Sequence, residues 1–262
     1  FVQWQLKRVK DFSISTGIHS QFFFLTNSFA IEPRGNIKWS IKKNHSLYLG
    51  LGLHSQTQPV YIYFNQTKLI NNEFGLTNRN LGFTKSLHLI SGYQYSLNSN
   101  AYFKTDIYYQ HVYDIPVEKR ESYFSLINIG SDFSLPLVDS LKNSGTGNNY
   151  GIELTFEKLL SKNYYLLSTL SIYESNYKGS DKIKRNTAFN SNYSFNLLGG
   201  YTYKINKTTN FTADLRIRDA GGRRYIPIDL NSSIATGEEI LLTDNAYSPQ
   251  YDPYFRADIK IG

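Results

Sequence analysis

The sequence predicts an all-β protein, an antiparallel up-and-down sheet of the kind that forms transmembrane β-barrels. Three observations lead to this prediction. Side chains alternate between apolar and polar with a period of two, and the connections between segments alternate between tight and long. The segments are about 9 to 17 residues long, against about 5 or 6 in soluble strands and about 9 to 11 in membrane strands. About eleven strand candidates of this kind divide the chain.

The period of two can be followed along the chain. Apolar side chains occupy every second position in four segments, 47–53, 152–156, 211–217 and 255–261, and positions 103, 107 and 109 of a fifth. The intervening positions carry small, polar or charged residues. Because successive side chains on a strand point to opposite faces, each of these strands has one apolar and one polar face. A helical period of 3.6 residues fits none of these segments.

Clusters of turn-forming residues separate the strand candidates. Tight connections are expected near residues 9–11, 43–45, 98–100, 161–163 and 206–208. Longer polar connections are expected near residues 26–34, 55–79, 115–148, 178–186 and 220–252. Such a sheet has two rims in different surroundings, as in barrels with short periplasmic turns and long extracellular loops.

The apolar face could be the core of a soluble sandwich or the lipid-facing side of a barrel wall. Strand length and mid-strand charges of both signs favour the barrel. So do the aromatic residues beside the tight turns, which are typical of a membrane interface: Tyr93, Tyr95, Tyr102, Phe103, Tyr164, Tyr165, Tyr201 and Tyr203. No apolar run approaches the roughly 20 residues of a transmembrane helix.

The chain is expected to be one partial barrel domain, residues 1–262, cut from a longer protein. It contains no Met, it begins in a strand, and eleven is an odd number of strands, whereas bacterial single-chain barrels have even numbers. An unpaired strand edge in lipid costs several kcal/mol for each unsatisfied backbone group. The piece therefore should be roughly half of a larger barrel.

From about residue 78 onward, seven segments follow one another in a specific order and spacing: 92–97 (GYQYSL), 108–110 (YYQ), 143–158 (NSGTGNNYGIELTFEK), 190–193 (NSNY), 196–200 (NLLGG), 220–230 (AGGRRYIPIDL) and 254–261 (YFRADIKI). In these segments the chain resembles the barrel of TonB-dependent outer-membrane receptors, of the kind common in Bacteroidota.

This resemblance implies a 22-stranded barrel in the outer membrane of a Gram-negative bacterium, closed by an N-terminal plug. It implies active uptake of a bulky nutrient, such as a ferric chelate, cobalamin or an oligosaccharide, with energy from the TonB complex. The partners it implies are membrane lipid, the plug, TonB and the ligand. The plug, the TonB box and the last strands are not in this chain.

The residues give no case for an enzyme, a cofactor, a metal site or nucleic-acid binding. Glu153 and Glu157 lie about 13 Å apart along a strand, farther than the roughly 5 to 10 Å of a glycosidase pair. The net charge of +7 is modest, and the chain has no Cys. The five histidines are scattered without paired spacing: His19, His45, His54, His88 and His111.

Two groups of residues are candidates for function. The first lies on the polar face of the last two strands, where its members either pair across strands or hold the plug: Asp214, Arg216, Arg218, Arg256, Asp258 and Lys260. The second lies in the long connections, as candidate ligand contacts: Tyr61, Tyr63, Tyr123, Arg223, Arg224 and Tyr225. For Arg223 and Arg224 the structural alternative is that they tie the turn at residues 221–222 to a neighbouring loop.

Two other functions stay open at this stage. A passive porin or an export pore would share the barrel wall and lack the plug. A secreted β-rich carbohydrate-binding protein would share the alternation and lack the membrane. The sequence does not identify a ligand.

Overall fold

The computed structural model describes residues 1–9, 11–70, 72–131 and 138–262, apart from the side chains of residues 7–9. Strands dominate these ranges. In chain order they are β1 (Val2–Val9), β2 (Phe12–Phe23), β3 (Ser28–Lys42), β4 (His45–Gln56), β5 (Thr67–Lys68), β6 (Phe74–Gly75), β7 (Thr84–Asn98), β8 (Ala101–Glu118), β9 (Leu141–Ser161), β10 (Tyr164–Lys178), β11 (Lys184–Asn186), β12 (Tyr193–Lys204), β13 (Asn210–Ala220) and β14 (Tyr254–Ile261).

The helices lie in the connections and are short. They are α1 (Val60–Tyr63), α2 (Leu230–Thr236) and two single 3₁₀ turns, Leu126–Asn128 and Thr243–Asn245. Within the ranges given above, none of them has the length and apolar character that a membrane-crossing helix requires.

Eleven strands form a continuous antiparallel wall in the order β1-β2-β3-β4-β7-β8-β9-β10-β12-β13-β14. The short β11 is a twelfth member and pairs with the end of β10, while β5 and β6 form a separate two-stranded sheet. The prediction of an all-β, up-and-down antiparallel fold with about eleven wall strands is confirmed. In the described part of the chain, β1 and β14 are the two edges of the wall.

Cross-strand register keeps apolar and polar residues on separate faces. Ile107, Ile152 and Ile172 lie opposite one another on β8, β9 and β10, and so form a row of the apolar face. Three residues further along the same strands, Gln110, Asn149 and Ser175 form a row of the opposite face, the polar face. A shift of one residue would exchange the two faces, so the pattern excludes such a shift.

No second layer of the described chain covers the apolar face. The exposed fractions are 60% for Ile107, 53% for Ile172, 39% for Leu215, 74% for Ile259 and 67% for Ile261. In a sandwich these side chains would form the core between two sheets. The wall is therefore one sheet thick.

Two predicted connections were wrong in extent. Residues 26–34 were expected to form a long connection, but β3 begins at Ser28 and runs through Pro33, which lies opposite Ile18. A tight turn with Asn27 at φ 50° replaces it. The strand is stable there because Glu32 is buried and hydrogen bonded on the polar face.

The connection expected at residues 115–148 is also shorter at both ends. Val117 and Glu118 still pair with Lys142 and Leu141, and Gly145 lies opposite Ile115. Asp114, at φ 55°, marks an irregularity that lets the strand pass Pro116 and continue. Within this connection residues 132–137 lie outside the described residues, as does residue 10 in the turn predicted at 9–11.

The tight turns at residues 43–45, 98–100, 161–163 and 206–208 occur where they were predicted. The turn between β9 and β10 shows one physical reason. Lys162 and Asn163 have φ of 51° and 70°, the left-handed pair that a type I′ two-residue turn requires. Asn tolerates this conformation, whereas a β-branched residue does not.

We therefore expect Asn163→Val to lower the free energy of unfolding by about 1 to 2 kcal/mol, the cost of a left-handed conformation for a residue with a crowded Cβ. Urea unfolding of the refolded protein in lipid vesicles measures this. Asn44→Val, in the tight turn between β3 and β4, is the control, because Asn44 is not among the residues with positive φ. Equal losses at both positions would contradict the explanation.

The long connections are folded against one another at one end of the wall. Ile62 and Tyr63 of α1 form a buried cluster with Leu81, Leu126 and Leu141, which brings two connections together. Asn78 joins them through its amide, because its Nδ2 donates to the Val138 carbonyl and its Oδ1 accepts from the Leu141 amide. This end of the wall is therefore a packed layer with its own small core.

Candidate functional site

The polar face carries a chain of side-chain hydrogen bonds across four neighbouring strands. The Gln110 amide nitrogen lies 2.8 Å from His88 Nε2, and its oxygen accepts from Asn149 Nδ2 at 2.7 Å. Ser175 Oγ donates to Asn149 Oδ1 at 2.6 Å and accepts from Thr187 Oγ1 at 2.8 Å. Because amides and hydroxyls can donate and accept, this strip is a wettable surface that is held rigid by its own bonds.

Glu32 organises a second polar cluster at the other side of the polar face. Its carboxylate is buried and accepts from Gln21 Nε2 at 2.7 Å and from the Ser55 amide at 2.8 Å. His19 Nδ1 at 2.9 Å and Arg34 Nη2 at 3.2 Å complete its surroundings. Among the described residues no group of three or more His, Asp or Glu is arranged to hold a metal ion.

Glycines on the polar face make room for tyrosine rings on the neighbouring strand. Gly92 lies between Tyr48 and Asp106, and a Cβ there would overlap both side chains. Gly200 lies in the same way between Tyr165 and Asp214. Glycine at such positions marks a close approach by a neighbouring group. We call these two cross-strand sets the Tyr-Gly-Asp rows.

The two rows differ in their hydrogen bonding. Tyr165 donates its hydroxyl proton to Asp214 Oδ1 at 2.8 Å. Asp106 is bound through its other oxygen by Lys104 Nζ at 2.7 Å, while Tyr48 Oη and Asp106 Oδ1 are buried without a hydrogen-bond partner in the described structure. Sequence reasoning missed both rows, although the tyrosine, glycine and aspartate of each row all lie on the polar side of the alternation.

The charged residues predicted on the last hairpin do share the polar face. Asp214 lies opposite Lys260, and Arg216 lies opposite Asp258. The shortest ion pair, however, is within β14, where Arg256 Nη2 lies 2.8 Å from Asp258 Oδ1. Arg218 faces another arginine, Arg256, so the hairpin is not a complete lattice of opposite charges. Excess positive charge therefore remains accessible on this part of the polar face.

The aromatic candidates in the connections after β4 and after β8 are buried to different extents. Tyr63 is fully buried, and its hydroxyl accepts from the Gln58 amide at 3.0 Å, so it is part of the loop core rather than of a ligand surface. Burial raises the pKa of Tyr63 and also of Tyr61. Tyr123 is partly buried, and burial followed by the nearby Glu118 carboxylate raises its pKa.

Arg223 and Arg224 both donate hydrogen bonds to other residues of this chain. The Arg224 guanidinium donates to the Asn190 carbonyl at 2.9 Å, to the Ser248 carbonyl at 2.9 Å and to Asn192 Oδ1 at 3.0 Å. Arg223 is exposed, donates to the Ser131 carbonyl at 3.2 Å and lies over the Phe189 ring. These contacts match the structural alternative, in which the arginines tie neighbouring loops together.

Tyr225, the last loop candidate, stacks on Tyr251 with 4.4 Å between the ring centroids. The same connection contains α2, which begins after Asp229. The Asp229 carboxylate accepts from the Ser232 hydroxyl and amide, and these bonds lower its pKa. The Asp229 cap of α2 and the stacking of Tyr225 on Tyr251 therefore order the connection between β13 and β14.

We expect Arg224→Gln to loosen the connections on both sides of it, because three hydrogen bonds from one guanidinium are lost together. Each hydrogen bond is worth about 0.5 to 1.5 kcal/mol, so local opening should become at least about tenfold more frequent. Hydrogen exchange at residues 186–192 and 245–250 measures this. Arg223→Gln, which removes one exposed contact, should change the exchange little; an equal effect would contradict the assignment.

On β9 the apolar face is bounded by Asn148 and Lys158. Between Asn148 and Lys158 the residues on this face are Tyr150, Ile152, Leu154 and Phe156. The ten-residue interval is about 34 Å long at 3.4 Å per residue, or about 26 Å in height at a tilt of about 40°. This matches the roughly 25 Å apolar band of membrane barrels.

The chain was compared with known families, curated proteins and solved structures, and only the solved structures gave matches. No family model and no curated protein matches the chain. Among solved structures, it is similar to the outer membrane transporter YddB from Escherichia coli, with 13% identity and a TM-score of 0.63. It is also similar to the ferric yersiniabactin uptake receptor FyuA from Yersinia pestis, with 11% identity and a TM-score of 0.64. The Ferric-Catecholate import receptor Fiu from E. coli gives 9% identity and a TM-score of 0.67.

The similarity covers nearly all of this chain and a minor part of the other three. It extends over 96%, 99% and 98% of this chain, and over 36%, 37% and 36% of YddB, FyuA and Fiu. The chain thus spans about a third of the length of these structures. At such low identity the likeness concerns the fold alone, and it supports the assignment of the wall as part of a β-barrel.

Proposed function

We propose that this chain is part of the barrel wall of a TonB-dependent receptor in the outer membrane of a Gram-negative bacterium. In this proposal the complete protein takes up a bulky nutrient, such as a ferric chelate, cobalamin or an oligosaccharide, and is not an enzyme. The observation that carries the proposal is the uncovered apolar face of a wall one sheet thick.

Water is a poor solvent for such a face. Soluble monomers rarely expose contiguous apolar patches larger than a few hundred Å². Here the exposed face runs across the wall from Ile18 on β2 to Ile259 on β14, 55% and 74% exposed respectively. Lipid tails would cover it without a second protein layer, whereas a secreted soluble protein would have no such cover.

The opposite face supports the transport part of the proposal. A polar wall with amide, hydroxyl and charged groups suits a water-filled or plug-filled interior. Several of the similar structures are named for transport: FyuA as a ferric yersiniabactin uptake receptor, Fiu as a ferric-catecholate import receptor, and OprC as a copper transporter. The nutrient of this protein stays open among the classes given above.

The test uses the complete protein produced from its full gene. Fractionation should place it in the outer membrane, and detergent should be needed to extract it. Deletion of the gene should slow growth when a ferric chelate, cobalamin or an oligosaccharide is the limiting nutrient, and loss of TonB should have the same effect. A water-soluble monomer would contradict the membrane placement. Uptake that is independent of TonB would instead favour a passive porin.

The accessible charges on the last hairpin fit a contact with the plug. Arg256 is 60% exposed at its side chain, and Arg216 is exposed as well. Charge-assisted hydrogen bonds are strong, yet they can be exchanged for water without exposing apolar surface. We expect Arg216→Gln together with Arg256→Gln to weaken retention of the plug, measured as entry of large antibiotics. Unchanged entry would count against this role.

A further inference from the structure

The tight connections of the wall carry charge of one sign. Four of them lie wholly within the described residues and cover residues 42–45, 98–101, 161–164 and 204–210, counted from the last residue of one strand to the first of the next. These four segments contain no Asp or Glu. They contain five lysines, which we call the basic rim: Lys42, Lys43, Lys162, Lys204 and Lys207.

The long connections at the opposite end of the wall are balanced in charge. Residues 57–83, 119–140, 179–192 and 221–253 together contain nine basic and ten acidic residues. The net charge of +7 therefore arises in the wall and its tight connections, where the basic rim alone supplies five positive charges. The two ends of the wall thus differ in charge as well as in the length of their connections.

The charges of the basic rim have no partner in the described part of the chain. All five lysines are exposed, and none of them forms an ion pair or a side-chain hydrogen bond there. Lys158 shows the contrast at the same end of the wall. Its Nζ donates to the Ser161 carbonyl at 2.8 Å and lies 3.5 Å from the centre of the Tyr164 ring. The charge of Lys158 is used inside a hairpin, whereas those of the basic rim are available to a partner outside the chain.

Aromatic side chains on the apolar face lie directly beside the basic rim. Tyr203 lies opposite Phe211 and Trp39 opposite Phe12, each within three residues of the end of its strand. All four rings are exposed. In membrane proteins such rings mark the level of the lipid headgroups. Lys204 directly follows Tyr203, so its ammonium group can reach a lipid phosphate while its apolar stem stays beside the rings.

The spread of the basic rim indicates a surface as its partner, rather than a small anion. Six strands separate the connection at residues 42–45 from that at residues 204–210. The distance between them is roughly 29 Å at about 4.8 Å per strand, far more than one phosphate ion can bridge. A leaflet with anionic headgroups offers a phosphate to every lysine. Each lysine near such a surface strengthens the attraction about fivefold, whereas headgroups without net charge gain little.

We propose that the basic rim binds anionic phospholipid headgroups in the leaflet at the tight-turn end of the wall, and so concentrates these lipids around the barrel. The proposal rests on the membrane placement of the function proposed above, in which this leaflet is the periplasmic one. The bound lipid is part of the surroundings of the barrel and is distinct from the transported nutrient.

The experiment uses the full-length protein in a non-ionic detergent and three probes: phosphatidylglycerol, phosphatidylcholine with the same acyl chains, and a soluble polyglutamate peptide. Native mass spectrometry measures the dissociation constant of each probe. One variant replaces all five lysines of the basic rim by Gln. The matched control removes five exposed charges from the opposite end by substitution to Gln: Lys68, Lys119, Arg120, Lys182 and Lys184. Both variants have the same net charge, so only the position of the lost charges differs.

We expect the basic-rim variant to bind phosphatidylglycerol at least about tenfold more weakly, with binding of phosphatidylcholine unchanged and the control variant close to the wild type. Equal losses in the two variants would overturn the proposal, since net charge alone would then explain binding. Equal affinity of the wild type for the two lipids would also overturn it. Polyglutamate binding that needs the basic rim, with phosphatidylglycerol binding that does not, would assign the surface to an acidic protein instead. Outer-membrane fractionation of the wild type is independent of these results, so failure here leaves the proposed function standing.

Discussion

Replacement of Leu170 by arginine should lower the free energy of unfolding in a lipid bilayer by about 2 to 4 kcal/mol, the cost of arginine on the lipid side of a barrel near the bilayer midplane. Leu170 lies on the apolar face of β10 between Leu154 and Phe195, in the middle of the band. It is only partly buried, so in water the same change would cost little. Urea unfolding of the protein in vesicles, followed by tryptophan fluorescence, measures the difference.

The neighbouring position provides the control. Ser171 lies at the same depth on the polar face, directly opposite Glu153, so Ser171→Arg would place the new charge beside a carboxylate. We expect its effect to stay within about 0.5 kcal/mol. If Leu170→Arg is as well tolerated as Ser171→Arg, the apolar face does not contact lipid, and the proposed function loses the observation on which it depends.

Gly92→Ala should cost about 3 kcal/mol, the upper end of the range for overpacking. The added methyl group would overlap the Tyr48 ring and the Asp106 carboxylate, which are held by strands on either side of β7. The overlapping atoms are Tyr48 Cζ and Oη and Asp106 Oδ1, so both side chains would have to turn away and would lose their packing over Gly92. Gly200→Ala should be affected in the same way by Tyr165 and Asp214.

Gly35→Ala is the matched control on β3. A Cβ at Gly35 would meet only ordinary contacts at 3.7 Å. The change removes backbone freedom from the unfolded chain and should therefore be neutral or stabilise the protein by about 0.4 to 1 kcal/mol. The urea concentrations at the unfolding midpoints of Gly92→Ala and Gly35→Ala, measured under the same conditions, test these two expectations. Equal losses at Gly92 and Gly35 would show that glycine matters for strand flexibility and not for the tyrosine rings.

The wall could be read from the sequence because alternation is a local property. Leu215 and Arg216 differ in polarity and are adjacent, and this alone places them on opposite faces wherever the strand lies. The two tight-turn residues Lys162 and Asn163 likewise act through their own backbone. The connection expected at residues 26–34 failed for a related reason: Pro33 and Asn27 are typical of loops, but Glu32 finds partners on two other strands that the local sequence does not reveal.

The candidate site was less predictable. The charged positions of β13 and β14 were enough to predict the polar face. The sequence did not predict where individual loop residues lie. Tyr63 looked like a surface aromatic and is in the core of two packed connections. For Arg224 the sequence left two roles open, a ligand contact or a tie between loops, and the structure shows it bound to three groups, which lie 32 to 34 residues before it and 24 after it. These contacts depend on which connections meet.

Sequence alone determined the strand count, the two faces and most of the tight connections, because each follows from neighbouring residues and from the period of the strand. Tertiary structure alone decided which residues share a row across strands and how the long connections pack. Those features join groups far apart in the chain, and their register is set by the whole set of pairings at once.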